Sequence, residues 1–268
     1  MNKPLVSQER TKYLNKKKQR KQIIRFCQIA VLVIFILQWE ITARLGLIDS
    51  FILSQPSRIW QTFLNMAQND LFMHVGVTVY ETLVGFFLGV VFGTLLAIVL
   101  WWSSFISKVS EPYLVVLNSL PKIALGPVII VIVGAGTKAI IFMALAISLI
   151  VTVLEMLNGF RHTDHEYIRM AATFGANKRQ IFCKIVFPYN ISTLFNSLKI
   201  NIGLSLVGVI AGEFLVSKAG LGYLIVYGGQ VFKLDLVMTS VIILSVVAAL
   251  MYEAVALLEK LVLKWYGH

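Results

Sequence analysis

Six stretches of this chain are too long and too apolar for a water-soluble domain of its size: roughly residues 26–44, 72–102, 112–133, 139–160, 191–216 and 236–261. A helix needs about 20 mostly apolar residues to cross the hydrocarbon core of a bilayer. The only other spanning structure is a closed barrel, whose strands show apolar/polar alternation over about ten residues. No such alternation is present, so the pattern predicts an all-α polytopic membrane protein with six transmembrane helices. Composition agrees: 58% of the 268 residues are apolar and 14% charged, against about 45–50% and 25% in soluble domains. The net charge of +11 does not point to nucleic acid, because the basic residues crowd an N-terminal tail and short loops between the apolar runs.

Those basic residues set an expected orientation, since Lys and Arg accumulate on the cytoplasmic side. Nine lie between Lys3 and Arg25. With residues 1–25 as a cytoplasmic basic tail, six spans put Lys108, Arg161, Arg169, Lys178, Arg179, Lys184, Lys260 and Lys264 on the same side, leaving Arg44, Arg58, Lys138, Lys218 and Lys233 opposite. Both termini are therefore expected to be cytoplasmic, with residues 26–268 forming the membrane domain. The tail reads as an anchor to anionic lipid rather than a removable signal peptide. Outside, Pro56-Ser57 opens an expected amphipathic helix carrying Ile59, Trp60, Phe63, Leu64 and Met66. Trp101, Trp102 and Tyr113 fall where interfacial aromatics are expected, and Gly85, Gly89 and Gly93 form a small-xxx-small stripe for close helix packing. Cys27 and Cys183 make neither a disulfide framework nor a metal pattern.

The largest cytoplasmic loop, about residues 161–190, has structure of its own. Thr163 with Glu166 has capping-box spacing, so a helix starts near Asp164. Ile168, Ala171, Ala172 and Gly175 then share one face, three of them tiny, and Gly175 suits a left-handed helix end. Asn177 with Gln180 caps a second short helix that bears Ile181, Phe182 and Ile185 and runs to Pro188. On these residues alone two readings stand, a connector packed on its own bundle or a docking face for another protein. His162 and His165 are three apart, with no further ligand to complete a metal site.

From Arg169 the order is Met170, Ala171, three residues, Gly175, nine residues, Ile185, one residue, then Phe187-Pro188. This resembles the "EAA" loop of ABC importer permeases, Glu-Ala-Ala, three residues, Gly, nine residues, Ile, one residue, Leu-Pro. Arg169, Met170 and Phe187 replace the motif's Glu, first Ala and Leu; Ala172 lies within it. Asn118-Ser-Leu-Pro121, Gly212-Glu213-Phe214 and Gly220-Leu-Gly222-Tyr-Leu224 are similar to segments of the sulfonate, taurine, nitrate and thiamine-precursor branch. The resemblance covers about residues 50–265. It implies a type I ABC importer-like fold in a prokaryotic inner or plasma membrane, and a permease that performs no chemistry and carries no cofactor. ATP would be hydrolysed by two copies of a partner ATPase that holds the loop's first helix in a groove. A second copy of this chain and an extracytoplasmic solute-binding protein would complete the assembly. Arg169 in place of Glu removes any pairing with a basic residue on that ATPase.

Charges inside spans must face partners or water, because a central Lys costs about 2.5–3.5 kcal/mol on insertion scales. Lys122 follows Pro121 and precedes Pro127, so the third span is expected to bend there. It lines a solute pathway, snorkels, or pairs with Glu155 or Glu81. Lys199, Asn196, Asn201 and Ser205 share one face of the fifth span, either a pathway wall or an interhelical seam. Glu213, with Gly220 and Gly222, reads as an external turn near a binding-protein dock. A stand-alone secondary carrier or channel is the competing class, and it needs a coupling site that Glu81 and Glu155 alone would have to supply. A membrane-embedded enzyme lacks convergent catalytic groups.

Overall fold

A computed structural model describes residues 8–47 and 54–265; the first seven residues of the basic tail lie outside the described residues. Every element among them is helical. In chain order these are α1 (Gln8–Arg44), α2 (Pro56–Gln68), α3 (Leu71–Trp102), α4 (Ser104–Ser119), α5 (Gly126–Val133), α6 (Thr137–Arg161), α7 (His165–Thr173), α8 (Lys178–Ile181), α9 (Ile191–Val216), α10 (Leu221–Gln230) and α11 (Leu234–Trp265). Five helices are long and apolar enough to span, and α4 with the segment Lys122–Val133 makes a sixth if the bent pair is one span. The 25 residues of α6 reach about 37 Å at 1.5 Å per residue, enough to cross.

α3, α6 and α9 form the centre of the bundle. Lipid tails are as apolar as leucine, so close van der Waals fit, rather than escape from water, must hold spans together. The glycine stripe supplies that fit. Gly85, Gly89 and Gly93 of α3 lie directly on Ala144, Ser148 and Thr152 of α6, and a Cβ at any of the three would collide with its opposite number. On the other side of α6, Gly208 of α9 lies on the backbone of Ala144, where a Cβ would come within 2.7 Å of the Cα. Ser148 and Thr152 return their hydroxyls to the carbonyls of Ala144 and Ser148 at 3.0 and 2.9 Å, leaving no bare polar atom at the contact.

The expected third span over 112–133 departs from the sequence reading in two ways. No loop occupies 103–111: α3 ends at Trp102 and α4 begins at Ser104, with Ser103 accepting a hydrogen bond from the Ile106 amide as the cap between them. The span then breaks at Pro121 and turns through 84°, because proline removes a backbone donor and pushes Leu120 to extended geometry (ψ 139°). A 3₁₀ turn, Lys122–Leu125, leads into α5.

Other boundaries also moved. α1 is one helix from Gln8, running through the described part of the basic tail, and leans on α2, where Glu40 accepts from the Ser57 amide at 3.1 Å. The external turn expected after Glu213 opens into a full helix, α10. The amphipathic helix expected from Pro56 is α2, and it packs against α11.

Candidate functional site

The segment between α6 and α9 is built from caps outward. Asp164, not Thr163, caps α7: its carboxylate accepts from the Glu166 amide at 2.9 Å. Thr163 is unavailable because it is buried and its hydroxyl accepts from the Asn190 side-chain amide at 2.8 Å, tying the two ends of the loop together. Gly175 ends α7 at φ +79°. Its amide donates to Ala172 at 2.9 Å and the Ala176 amide to Ala171 at 3.0 Å, the paired bonds of a Schellman ending that requires a left-handed residue at this position. Asn177 and Gln180 form the expected capping box on α8.

No residue of α7 is buried. The expected small face is split: Ile168 packs down on the bundle and Ala171 is half-buried, whereas Ala172 and Gly175 are exposed. Arg169 is exposed, and beside it an apolar strip of Tyr167, Met170 and Phe174 stands open, Phe174 at 84%. Sequence reasoning missed Phe174 because it sits between the motif's landmarks. Ile185 and Pro188, half-buried, belong to the return segment and not to the open surface.

That return segment is a pedestal. After α8 the helix widens to a π turn over Phe182–Val186, continuing through Phe187–Tyr189. The widening drops Phe182 into an aromatic socket, its ring 5.0 Å from Trp101, 5.4 Å from Phe160 and 6.0 Å from Phe187. Lys178 caps the end of α3, donating to the Trp102 carbonyl at 2.6 Å with its ammonium over both indoles. Arg161 donates to Ser107 at 2.7 Å and pairs with Glu111 on α4. The exposed helix is thus mounted on α3 and α6, and α6 is tied in turn to α4. Trp101 and Trp102, read from sequence as interfacial aromatics, are the receiving face of that mount.

The two intramembrane lysines have different fates. Lys199 pairs with Glu259 of α11 at 3.0 Å, so that face of α9 serves as a helix seam. Asn201 and Ser205 are fully buried on α9, Asn201 donating to the Ser197 carbonyl at 2.9 Å. Lys122 is half-buried at the break, donates only to the Asn118 carbonyl at 3.0 Å, and has no acidic partner among the described residues; it pairs with neither Glu155 nor Glu81. No cluster that could hold a metal occurs among the described residues.

The described residues thus form an all-helical bundle of apolar spans, fixed by glycine contacts, with one unburied helix mounted on its end. Residues 89–265 match the model of the binding-protein-dependent transport system inner membrane component family, and the chain belongs to that family. It is 26% identical over 227 residues to a formylaminopyrimidine transport permease of Halalkalibacterium halodurans, covering 85% of this chain and 90% of that one. It is 23% identical to the taurine transport system permease of Escherichia coli, covering 89% of each. An inward-facing structure of the MetNI methionine ABC transporter matches with a TM-score of 0.65 at 21% identity, over 72% of this chain and 95% of that one. The relatives are permease subunits of ABC importers, which are non-catalytic.

Proposed function

We propose that this chain is the translocation subunit of an ATP-driven importer, receiving its stroke through α7. The observation that carries this reading is a helix with no buried residue, held at its base by the Phe182 socket and the Lys178 cap. A strip of Met170, Ala172 and Phe174 is open for a groove on an ATPase subunit, and Gly175 ends it so that the chain leaves sharply. One copy offers a single docking helix, and the working unit is a pair of these chains with two ATPase subunits. An external binding protein would dock near the α9–α10 corner, and the basic tail and docking loop would share the cytoplasmic side. ATP binding and hydrolysis belong to the partner.

Lys122 lines the pathway. A lysine at a broken span cannot face lipid without cost, and here no carboxylate neutralises it. It therefore favours a small solute with an anionic group, in keeping with relatives named for taurine, aliphatic sulfonates and nitrate. The test is co-purification of the cognate ATPase with Ala172→Arg and Phe174→Glu variants, both at exposed positions. Membrane insertion stays normal while ATPase recovery and uptake are lost. Retention of the ATPase by both variants overturns docking through α7, and uptake that persists without the ATPase supports a gradient-driven carrier instead.

A further inference from the structure

At the end of the bundle away from the docking loop, two buried carboxyl groups meet. Glu213 of α9 is 1% exposed. One of its oxygens accepts from the Thr78 hydroxyl at 2.6 Å and the other from the Gly222 amide at 2.5 Å. Thr78 also accepts from the Leu221 amide at 2.8 Å, and His74 Nδ1 from the Gly220 amide at 3.0 Å. This carboxylate fastens α3 to the corner between α9 and α10. One turn further along the same face of α3, three residues after Thr78, Glu81 is equally buried, which puts its carboxyl beside the Thr78–Glu213 hydrogen bond. Neither of its carboxyl oxygens has a hydrogen-bond partner.

A buried carboxylate without a donor is costly, and two side by side in the interior cannot both stay ionised unless something positive joins them. The candidates are a cationic side chain, a metal ion or a proton. None of the ion pairs among the described residues includes Glu81 or Glu213. On α3 the only other titratable neighbour is His74, whose Nδ1 accepts the Gly220 amide, with Asp70 a turn beyond it. Lys138 at the start of α6 and Lys218 in the α9–α10 turn are exposed. A metal needs space for a coordination shell, yet a Cβ added at Gly222 would lie 2.7 Å from a Glu213 oxygen and one at Gly220 would collide with the same carboxyl. A proton needs no space.

We propose that Glu81 and Glu213 hold one proton between them, forming a proton-binding site that locks α3 to the α9–α10 corner. The proton comes from solvent and rides on a Glu81 oxygen, which donates to Glu213. Glu213 stays ionised because its oxygens already have donors in Thr78 and Gly222. Losing that proton to base puts two negative charges in one buried place and drives α3 from the corner, so the site makes this end of the bundle sensitive to pH.

Infrared spectroscopy of the full chain in lipid nanodiscs tests this directly, without any ATPase, binding protein or solute. Its outcome is therefore separate from that of the importer reading. At neutral pH the wild type shows the carbonyl stretch of a protonated carboxylic acid, which Glu81→Gln abolishes and Glu259→Gln leaves in place. Raising the pH removes the band from the wild type and lowers its thermal midpoint, whereas Glu81→Gln, which mimics the protonated group, keeps its midpoint. Absence of the band from the wild type at neutral pH overturns the proposal without recourse to any variant. So does its persistence in Glu81→Gln, or stability that depends on added sodium or potassium ions instead of pH.

Discussion

Replacing Phe182 by alanine separates docking from transmission. The ring is 7% exposed and meets Trp101, Phe160 and Phe187 at centroid distances of 5.0–6.0 Å. Truncating such a phenylalanine costs about 3–5 kcal/mol, with each aromatic pair worth about 0.5–1.5 kcal/mol within that total. Spread over a chain of this size, about 3 kcal/mol lowers the thermal midpoint by roughly 6–12 °C. α7 keeps its own caps at Asp164 and Gly175, so the ATPase still binds. The mount is what fails, and the stroke is no longer delivered to α3 and α6. In proteoliposomes containing the assembled transporter, ATP hydrolysis persists while solute moved per ATP falls about tenfold or more, the penalty exceeding the 1.4 kcal/mol that corresponds to a factor of ten. Wild-type melting together with wild-type transport per ATP would refute the pedestal reasoning.

Further outcomes follow from particular contacts. Gly89→Val places a branched side chain against Ser148 and forces α3 from α6, so it should abolish a folded, monodisperse preparation, whereas Gly76→Val, with open space around it, should not. Gly175→Ala must hold φ +79° at a cost of about 1–2 kcal/mol, read as a lower ATPase affinity of about tenfold. Lys199→Met strands the half-buried Glu259 and should destabilise by about 1–3 kcal/mol, whereas Lys199→Met with Glu259→Leu recovers most of that loss; equal melting of single and double variants would remove the seam. Phe232 sits exposed at φ +57°, so Phe232→Gly should raise the thermal midpoint by relieving left-handed strain.

What was legible in the sequence was local. Apolar runs announced the spans, Pro121 the break, the glycine stripe a close-packing face on α3, and Asn177 with Gln180 the start of α8. Each of these is decided within a turn or two of helix. What escaped depended on distant partners. Thr163 has the spacing of a cap, yet Asn190 claims its hydroxyl, so Asp164 caps instead. Ile168 shares a face with Ala171 and Ala172, but the bundle beneath the loop draws that edge inward and leaves Phe174 outermost. Phe182 looks like one more apolar residue of a short helix until Trp101 and Phe160 are brought to it from α3 and α6. Lys199 and Lys122 look equivalent in sequence, and only the arrival of Glu259 from α11 distinguishes them.

The central claim is that α7 is the surface an ATPase grips. A photo-reactive residue at Ala172, compared with one at exposed Asn65 on α2, tests it in membranes containing the cognate ATPase. The account predicts cross-links to the ATPase from position 172 and none from position 65. Cross-links from 172 that go only to lipid or to this chain's own spans contradict it.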